Sequence, residues 1–214
     1  MGNALGADTF LGQTVQFVER KLGSPQTWRW NFNVQKTVGK NAVFEIGYMG
    51  SDATRINETR LGSGAAPNLN FIPNSYLSTS PTRDRDRITL LTTPVANPFR
   101  GLLPGTGLNG NLFNQENLLR AYPQFSGDTG VTAEGRLNGF SKFHMLQTRF
   151  EKRFSNGLQF LANYQWSKML EATNRLNAGD SLLQYRVANE DRPQRFVFSG
   201  SYELPFGRVG AGCA

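Results

Sequence analysis

Apolar and polar residues alternate strictly over residues 27–38, with Trp28, Trp30, Phe32, Val34 and Val38 on one side and Arg29, Asn31, Asn33, Gln35 and Thr37 on the other. A period of two is the signature of a β-strand with one apolar and one wet face. After Gly39-Lys40-Asn41 the pattern resumes: Ala42, Phe44, Ile46 and Tyr48 oppose Val43, Glu45, Gly47 and Met49, so residues 27–51 form a hairpin. A second hairpin turns at Ser155-Asn156-Gly157. Its return strand sets Leu158, Phe160, Ala162, Tyr164 and Trp166 against Gln159, Leu161, Asn163, Gln165 and Ser167. Its outgoing strand is less clean, because His144, Thr148 and Lys152 share a face with Leu146, Phe150 and Phe154. A fifth strand places Phe196, Phe198, Gly200, Tyr202 and Leu204 opposite Arg195, Val197, Ser199, Ser201 and Glu203, before a turn at Pro205-Phe206-Gly207. The expected strands lie near 27–38, 42–51, 140–154, 158–168 and 194–204.

The connections alternate as well. Two hairpins close through about three residues, whereas 52–139 and 170–192 are long and rich in Gly, Pro, Asn, Ser and Thr. Short turns at one end and long loops at the other are the arrangement of outer-membrane barrels. Trp28, Trp30, Tyr48, Tyr164 and Trp166 all fall at strand ends remote from the short turns, where an aromatic girdle would sit. The expected fold is therefore all-β: antiparallel amphipathic strands forming part of a transmembrane β-barrel, with long extracellular loops. The apolar set then faces lipid, and Asn33, Gln35, Gln147, Arg149, Asn163 and Gln165 face the lumen.

Composition narrows the alternatives. Mean hydropathy is −0.43 and no run of about 18 apolar residues exists, so a membrane-spanning reading requires strands, not helices. Residues 1–10 carry no basic stretch followed by an apolar run, so no signal peptide is visible. Cys213 is the single cysteine, which excludes an intramolecular disulfide and any Cys-rich metal site. The formal charge of +7 comes from dispersed Lys and Arg without a recognition helix or RNA-binding signature, so no nucleic-acid partner is expected.

Several segments together resemble the Oar-like branch of TonB-dependent outer-membrane receptors, an Acidobacteria-type group that carries a carboxypeptidase-regulatory-like domain. They are Trp30-Asn31-Phe32-Asn33-Val34-Gln35, Gly39-Lys40-Asn41, residues 45–51, Asn97-Pro98-Phe99, Leu118-Leu119-Arg120 and Tyr122-Pro123-Gln124-Phe125. Glu151-Lys152-Arg153-Phe154-Ser155, Trp166-Ser167-Lys168, Asp191-Arg192-Pro193 and Glu203-Leu204-Pro205-Phe206-Gly207 continue the series in order. The resemblance spans residues 28–208 and implies a barrel of about 22 strands with a plugged lumen. It implies uptake of a bulky nutrient driven through the TonB protein, which would engage a plug domain. Neither plug nor TonB box is readable in residues 1–214, and Gly212-Cys213-Ala214 lacks a terminal aromatic, so the expectation is an internal stretch of a longer barrel. Its expected partners are outer-membrane lipid, the remaining barrel and plug, the TonB protein and an extracellular nutrient; no cofactor and no metal is expected.

Other candidate chemistry reads more plainly. Gly105-Thr106-Gly107-Leu108-Asn109-Gly110 matches the dinucleotide fingerprint, but it follows Pro104 instead of a strand and precedes no helix, so it is read as a flexible loop. His144 is the only histidine and is read as a strand residue near the membrane interface. Arg83-Asp84-Arg85-Asp86-Arg87 is read as a solvated loop segment, with Asp84 and Asp86 as a weak cation site. Asn57-Glu58-Thr59 forms a glycosylation sequon of use only in a glycosylating host. Phe71, Tyr76, Phe99, Phe113, Tyr122 and Phe125 are too many for a disordered linker and suggest that the long connection packs as a small cap, anchored by Phe99, Tyr122 and Phe125.

Two other classes account for some of the pattern. A soluble β-sandwich for binding or adhesion produces the same alternation. A hydrolytic enzyme with paired carboxylates would draw on Glu45, Glu151 or Glu203, each of which is more simply a lumen charge near Arg149, Arg153 or Arg195. The chain is expected not to be an enzyme, and no catalytic or ligand-contact residue is assigned.

Overall fold

The computed structural model describes residues 10–20, 23–125, 130–204 and 206. The expected turn at Pro205-Phe206-Gly207, the chain terminus and Cys213 fall wholly or partly outside them. In chain order the elements are β1 (Val15–Val18), β2 (Gln26–Val38), β3 (Ala42–Ile56), α1 (Arg85–Thr92), β4 (Pro94–Ala96), β5 (Leu112–Asn114), α2 (Gln115–Leu118), β6 (Val131–Glu134), β7 (Gly139–Ser155), β8 (Leu158–Ala172), β9 (Arg186–Val187) and β10 (Gln194–Tyr202). They divide into two units: one sheet built from the long strands, here the wall, and a smaller assembly built from the N-terminal segment and the long connections, here the loop unit.

The wall is one sheet in the order β10, β8, β7, β3, β2, with β9 also pairing β8. The β7–β8 turn is tighter than the expected three residues: only Asn156 and Gly157 separate the strands, at φ +55° and +78°. Positive φ at both positions marks a type I′ turn, whose twist matches that of the flanking strands and for which Asn-Gly is the preferred pair. In the other hairpin Gly39 takes φ +63°. β7 closes onto β3 across the long connection: Arg153 donates its N–H to the Asn41 carbonyl at 2.8 Å near the short turns. At the opposite end a Cβ on Gly139 would stand 2.9 Å from the Ile56 carbonyl oxygen and 3.2 Å from that of Ala172. Glycine is needed there because the backbones of β3 and β8 leave no room for a side chain.

Register confirms the two faces. β8 and β10 are antiparallel, and Tyr164 opposes Phe196, Ala162 opposes Phe198 and Leu158 opposes Tyr202, while Gln165 opposes Arg195 and Asn163 opposes Val197. On the apolar face Phe150, Phe160 and Phe198 form a row, with ring centroids 5.6 and 5.7 Å apart. That row crosses three strands yet nothing covers it within the unit. Phe32 is 70% exposed and Phe198 61%. Among the described residues its unit contains no second sheet. All thirteen residues of β2 and all nine of β10 are exposed. These two strands are the edges of an open sheet.

Three strands run further than the sequence pattern suggests. β3 ends at Ile56 instead of residue 51, β7 begins at Gly139, and β8 ends at Ala172 instead of residue 168, whereas β10 stops short at Tyr202. Tilted strands need about 9–11 residues to cross the hydrocarbon core, so the 17 residues of β7 and 15 of β8 continue past it. Beside β8, the Asp191-Arg192-Pro193 motif repairs the break between β9 and β10. Asp191 accepts the Met169 N–H at 2.7 Å with its carboxylate and stands 3.6 Å from Lys168 Nζ. Ser167 donates its N–H to the Pro193 carbonyl at 2.9 Å and its hydroxyl to the Arg192 carbonyl at 2.8 Å.

In the loop unit the connection expected as a loop over 52–139 contains α1, α2, β4, β5 and β6. β1 and β6 pair in parallel, Val15 with Val131 through Val18 with Glu134, a contact no local pattern announces. β4 and β5 form a short antiparallel ribbon. Leu108, Phe113, Val131 and Ala133 are buried, and Phe99 meets Phe113 edge-on at 6.2 Å.

The wall's exposure predicts an asymmetry between neighbours. Phe44→Arg should cost about 2–4 kcal/mol if it lies near the bilayer midplane, whereas Glu45→Gln on the other face should leave folding unchanged. Urea titration of the full-length protein in lipid vesicles measures both; equal effects would contradict the facing.

Candidate functional site

Two surfaces bring functional side chains together, one in each unit. On the wall's polar face Gln147, Arg149, Leu161, Asn163, Gln165, Arg195 and Val197 line a depression of about 340 Å³. Alternation places these residues there, since odd-numbered positions of β7, β8 and β10 share that face. Arg149 donates from Nη2 to Glu151 at 2.7 Å, so this carboxylate serves as a partner for its neighbour. Gln159 donates to the Ser201 hydroxyl at 2.8 Å.

The apolar face carries its polar atoms at one level. His144 Nδ1 shares a 2.7 Å hydrogen bond with the Tyr48 hydroxyl. The Tyr48 and Trp30 rings lie 6.1 and 6.2 Å from the imidazole. Trp30 also lies over Gly50, where any Cβ would enter its indole. This cluster of amphipathic rings is of the kind that settles at a lipid headgroup level.

In the loop unit the organising residue is Glu58, just beyond β3, whose side chain is 1% exposed. Its N–H donates to the Arg136 carbonyl at 2.7 Å, and the Thr59 N–H donates to the Thr173 carbonyl at 2.8 Å, so three connections meet there. Arg175 Nε donates to Glu58 Oε1 at 2.7 Å and Asn138 Nδ2 to Oε2 at 3.1 Å. Arg136 Nε stands 3.9 Å from Oε2. Burial alone would raise the Glu58 carboxyl, but the hydrogen bonds from Arg175 and Asn138 and the Arg136 and Arg175 charges outweigh it and hold the group below its ordinary value. Arg175 also donates to the Asp180 carbonyl. The Asp180 carboxylate is held below its ordinary range, first by the Asn177 N–H and then by Asn74.

Buried asparagines do the work of a larger core. Asn97, first of Asn97-Pro98-Phe99, accepts the Phe99 N–H at 2.8 Å and donates to the Leu108 and Gly110 carbonyls at 2.7 and 2.6 Å. The segment 105–110, read from sequence as flexible, is therefore a packed 3-10 turn over Gly107–Asn109 with Leu108 buried. It is no phosphate loop, because neither a preceding strand nor a following helix of useful length exists. Asn70, fully buried, accepts the Tyr122 N–H at 2.9 Å, and Arg120 donates to its carbonyl at 2.8 Å. Tyr122 and Phe125 then pack at 6.5 Å.

The charge run Arg83–Arg87, read as a solvated loop, instead starts α1. Asp84 is its N-cap, accepting the Arg87 N–H at 3.0 Å and the Ser78 hydroxyl at 2.7 Å. Those bonds, the Arg87 N–H foremost, lower its pKa. Among the described residues no three His, Cys, Asp or Glu side chains gather as metal ligands. The sequon Asn57-Glu58-Thr59 gave no hint of Glu58's role. Its partner Arg175 lies 117 positions away.

Beside Glu58 a cavity of about 230 Å³ is lined by Arg60, Arg136, Arg175, Leu61, Leu176 and their neighbours. On the other side of Arg136 an open cleft of about 540 Å³ is lined by Glu19, Arg55, Arg136 and Asn138.

A paired sheet with one apolar face, long connections opposite tight turns and an interfacial aromatic level define a membrane β-barrel wall. Residues 2–212 match the model of the outer membrane beta barrel domain, and the chain belongs to that family. It is thereby placed in the bacterial outer membrane. No curated protein and no solved structure matches it.

Glu58 predicts both a mutational and a pH effect. Glu58→Ala should weaken the loop unit by about 3–5 kcal/mol, because it strands the buried Arg175 charge. The folded carboxyl titrates below its ordinary value near 4.5, so its stabilisation is present above that pH and disappears as pH falls through the lower folded value. Hydrogen exchange of Leu69, Ala133 and Gln184 amides should show both, with wall amides unaffected.

Proposed function

We propose that the chain forms wall and outer-face loops of a TonB-dependent receptor that takes up a bulky nutrient. The observation carrying this reading is the loop unit itself: the connections between the long strands fold into a packed assembly with its own core and buried ion pairs. A passive channel needs only enough loop to join its strands. Long connections of this length in compact proteins are functional or disordered, and a buried core argues against disorder. The polar wall face, with Arg149, Arg195 and a set of amides, supplies hydrogen-bonding groups to a solvated lumen.

In this reading the apolar face meets lipid and further strands pair the free edges of β2 and β10. A plug domain and the TonB protein couple the barrel to inner-membrane energy. The loop unit contacts the incoming nutrient, and the chain performs no catalytic step.

Deleting residues 67–110 from the full-length protein tests this role. The deletion removes Asn70, Asn97 and Leu108 but none of the long strands. The barrel should remain heat-modifiable at normal surface levels, while growth on nutrients requiring both this protein and TonB is impaired. Unchanged growth at normal surface level would reject the role of the loops. Growth that never depends on TonB would reject the energy coupling.

A further inference from the structure

We infer that the loop unit contains a binding site for an anionic oxyacid group, a carboxylate or phosphate on a small organic molecule or at the end of a larger one, with Arg136 as its principal donor. This goes beyond the uptake reading and holds however the barrel is energised.

The 230 Å³ cavity carries the argument. Its charged lining comprises Arg60, Arg136, Arg175 and the carboxylate Glu58. Glu58 is committed: Arg175 and Asn138 occupy both its oxygens at hydrogen-bond distance. Arg136 is differently placed. Its only ion-pair contacts among the described residues run from Nε, at 3.6 Å to Glu19 and 3.9 Å to Glu58, both too long for hydrogen bonds. No hydrogen bond from its guanidinium to a described residue is formed, although the side chain is only 24% exposed. A guanidinium offers five N–H donors in a planar fork that fits a carboxylate or phosphate in bidentate fashion.

The position of Arg136 suits that use. It lines both the smaller cavity and the larger open cleft, which gives an anion a route from solvent. Its backbone is fixed by the Glu58 N–H bond to its carbonyl, so the fork is presented by a held segment. The Glu58–Arg175 pair supplies a rigid floor at little net charge, and the two carboxylates near Arg136 stop at ion-pair distance without hydrogen-bonding its guanidinium, so its N–H donors stay open to a ligand. Leu61, Pro67, Leu176 and Ala178 complete the lining with apolar surface. That mixture selects a group with a charged head and an apolar body, rather than a bare hydrated ion. At this volume the cavity falls below the ~300 Å³ at which drug-sized ligand pockets begin, so it takes a small molecule or only the acidic terminus of a larger one.

Calorimetric titration of the full-length protein in detergent micelles, using benzoate, inorganic phosphate and neutral benzamide as probes, tests the site without energised transport. At least one anion should bind and benzamide should not. Phosphate alone would assign the site to phosphate groups, and benzoate alone to carboxylates. Arg136→Gln should weaken the bound anion about ten- to hundredfold, the loss expected for a charge-assisted hydrogen-bonding pair, and Arg136→Lys should recover part of it. Hydrogen exchange of the Glu58 and Leu69 amides should stay native in both variants, which separates lost binding from lost folding. Binding of benzamide equal to benzoate, anion affinity unchanged in Arg136→Gln, or no anion binding by the wild type would each overturn the inference.

Discussion

Hydrocarbon offers no partner to a backbone N–H or C=O, and that constraint shapes the wall. Every peptide group at membrane depth must be paired within the protein, which leaves helices and closed barrels as spanning structures. No described helix is long and apolar enough to cross a bilayer. The strands therefore carry the crossing, and their pairing is conserved along the sheet even where the chain is interrupted. Asp191 and Ser167 show the cost of an interruption, because side chain and backbone both turn to bonds that a continuous strand would have made. The same constraint gives meaning to β2 and β10, whose outer edges face no partner among the described residues. In lipid those edges are tolerable only when further strands pair with them.

Side-chain chemistry follows the backbone. Because strands alternate, a single sheet separates a face for lipid from a face for water without any second layer. The exposed Phe32, Phe196 and Phe198 would be an aggregation hazard in water and are appropriate in a bilayer. The loop unit solves the opposite problem. Few of its large apolar residues are buried, so Asn70 and Asn97 replace hydrophobic mass with hydrogen bonds to the backbone of neighbouring segments, and Glu58 does so with bonds from the Arg175 and Asn138 side chains. Such a core is specific but expensive: each buried polar group is an asset only while its partners are in place. The loop unit should accordingly be the less stable part of the chain.

The wall was largely legible because its information is local. Period two, an Asn-Gly turn and aromatics gathered at one level are all readable within a dozen residues. Strand ends were less so: β3 and β8 outrun the pattern, since beyond the lipid no facing rule constrains them. The loop unit was scarcely readable. The aromatic content hinted at packing, and Phe99 does meet Phe113, but the parallel pairing of β1 with β6 and the bond from Arg175 to Glu58 join residues more than a hundred positions apart. The run Arg83–Arg87 is solvated as its charges suggest, but the reading as a loop missed the local use of Asp84 as a helix cap. Arg136 lies in a short unpatterned stretch. Only its neighbours in space mark it.

The central claim, that one face of this sheet meets lipid and the other meets water, is tested most directly by spin labels placed in turn at every position of β8 from Leu158 to Lys168 in the full-length protein in vesicles. Collision with oxygen, which concentrates in lipid, should rise at Leu158, Phe160, Ala162, Tyr164 and Trp166. Collision with a water-soluble nickel chelate should rise at Gln159, Asn163 and Gln165, giving two profiles of period two and opposite phase. Profiles in phase with each other, or without a period of two, would contradict the account.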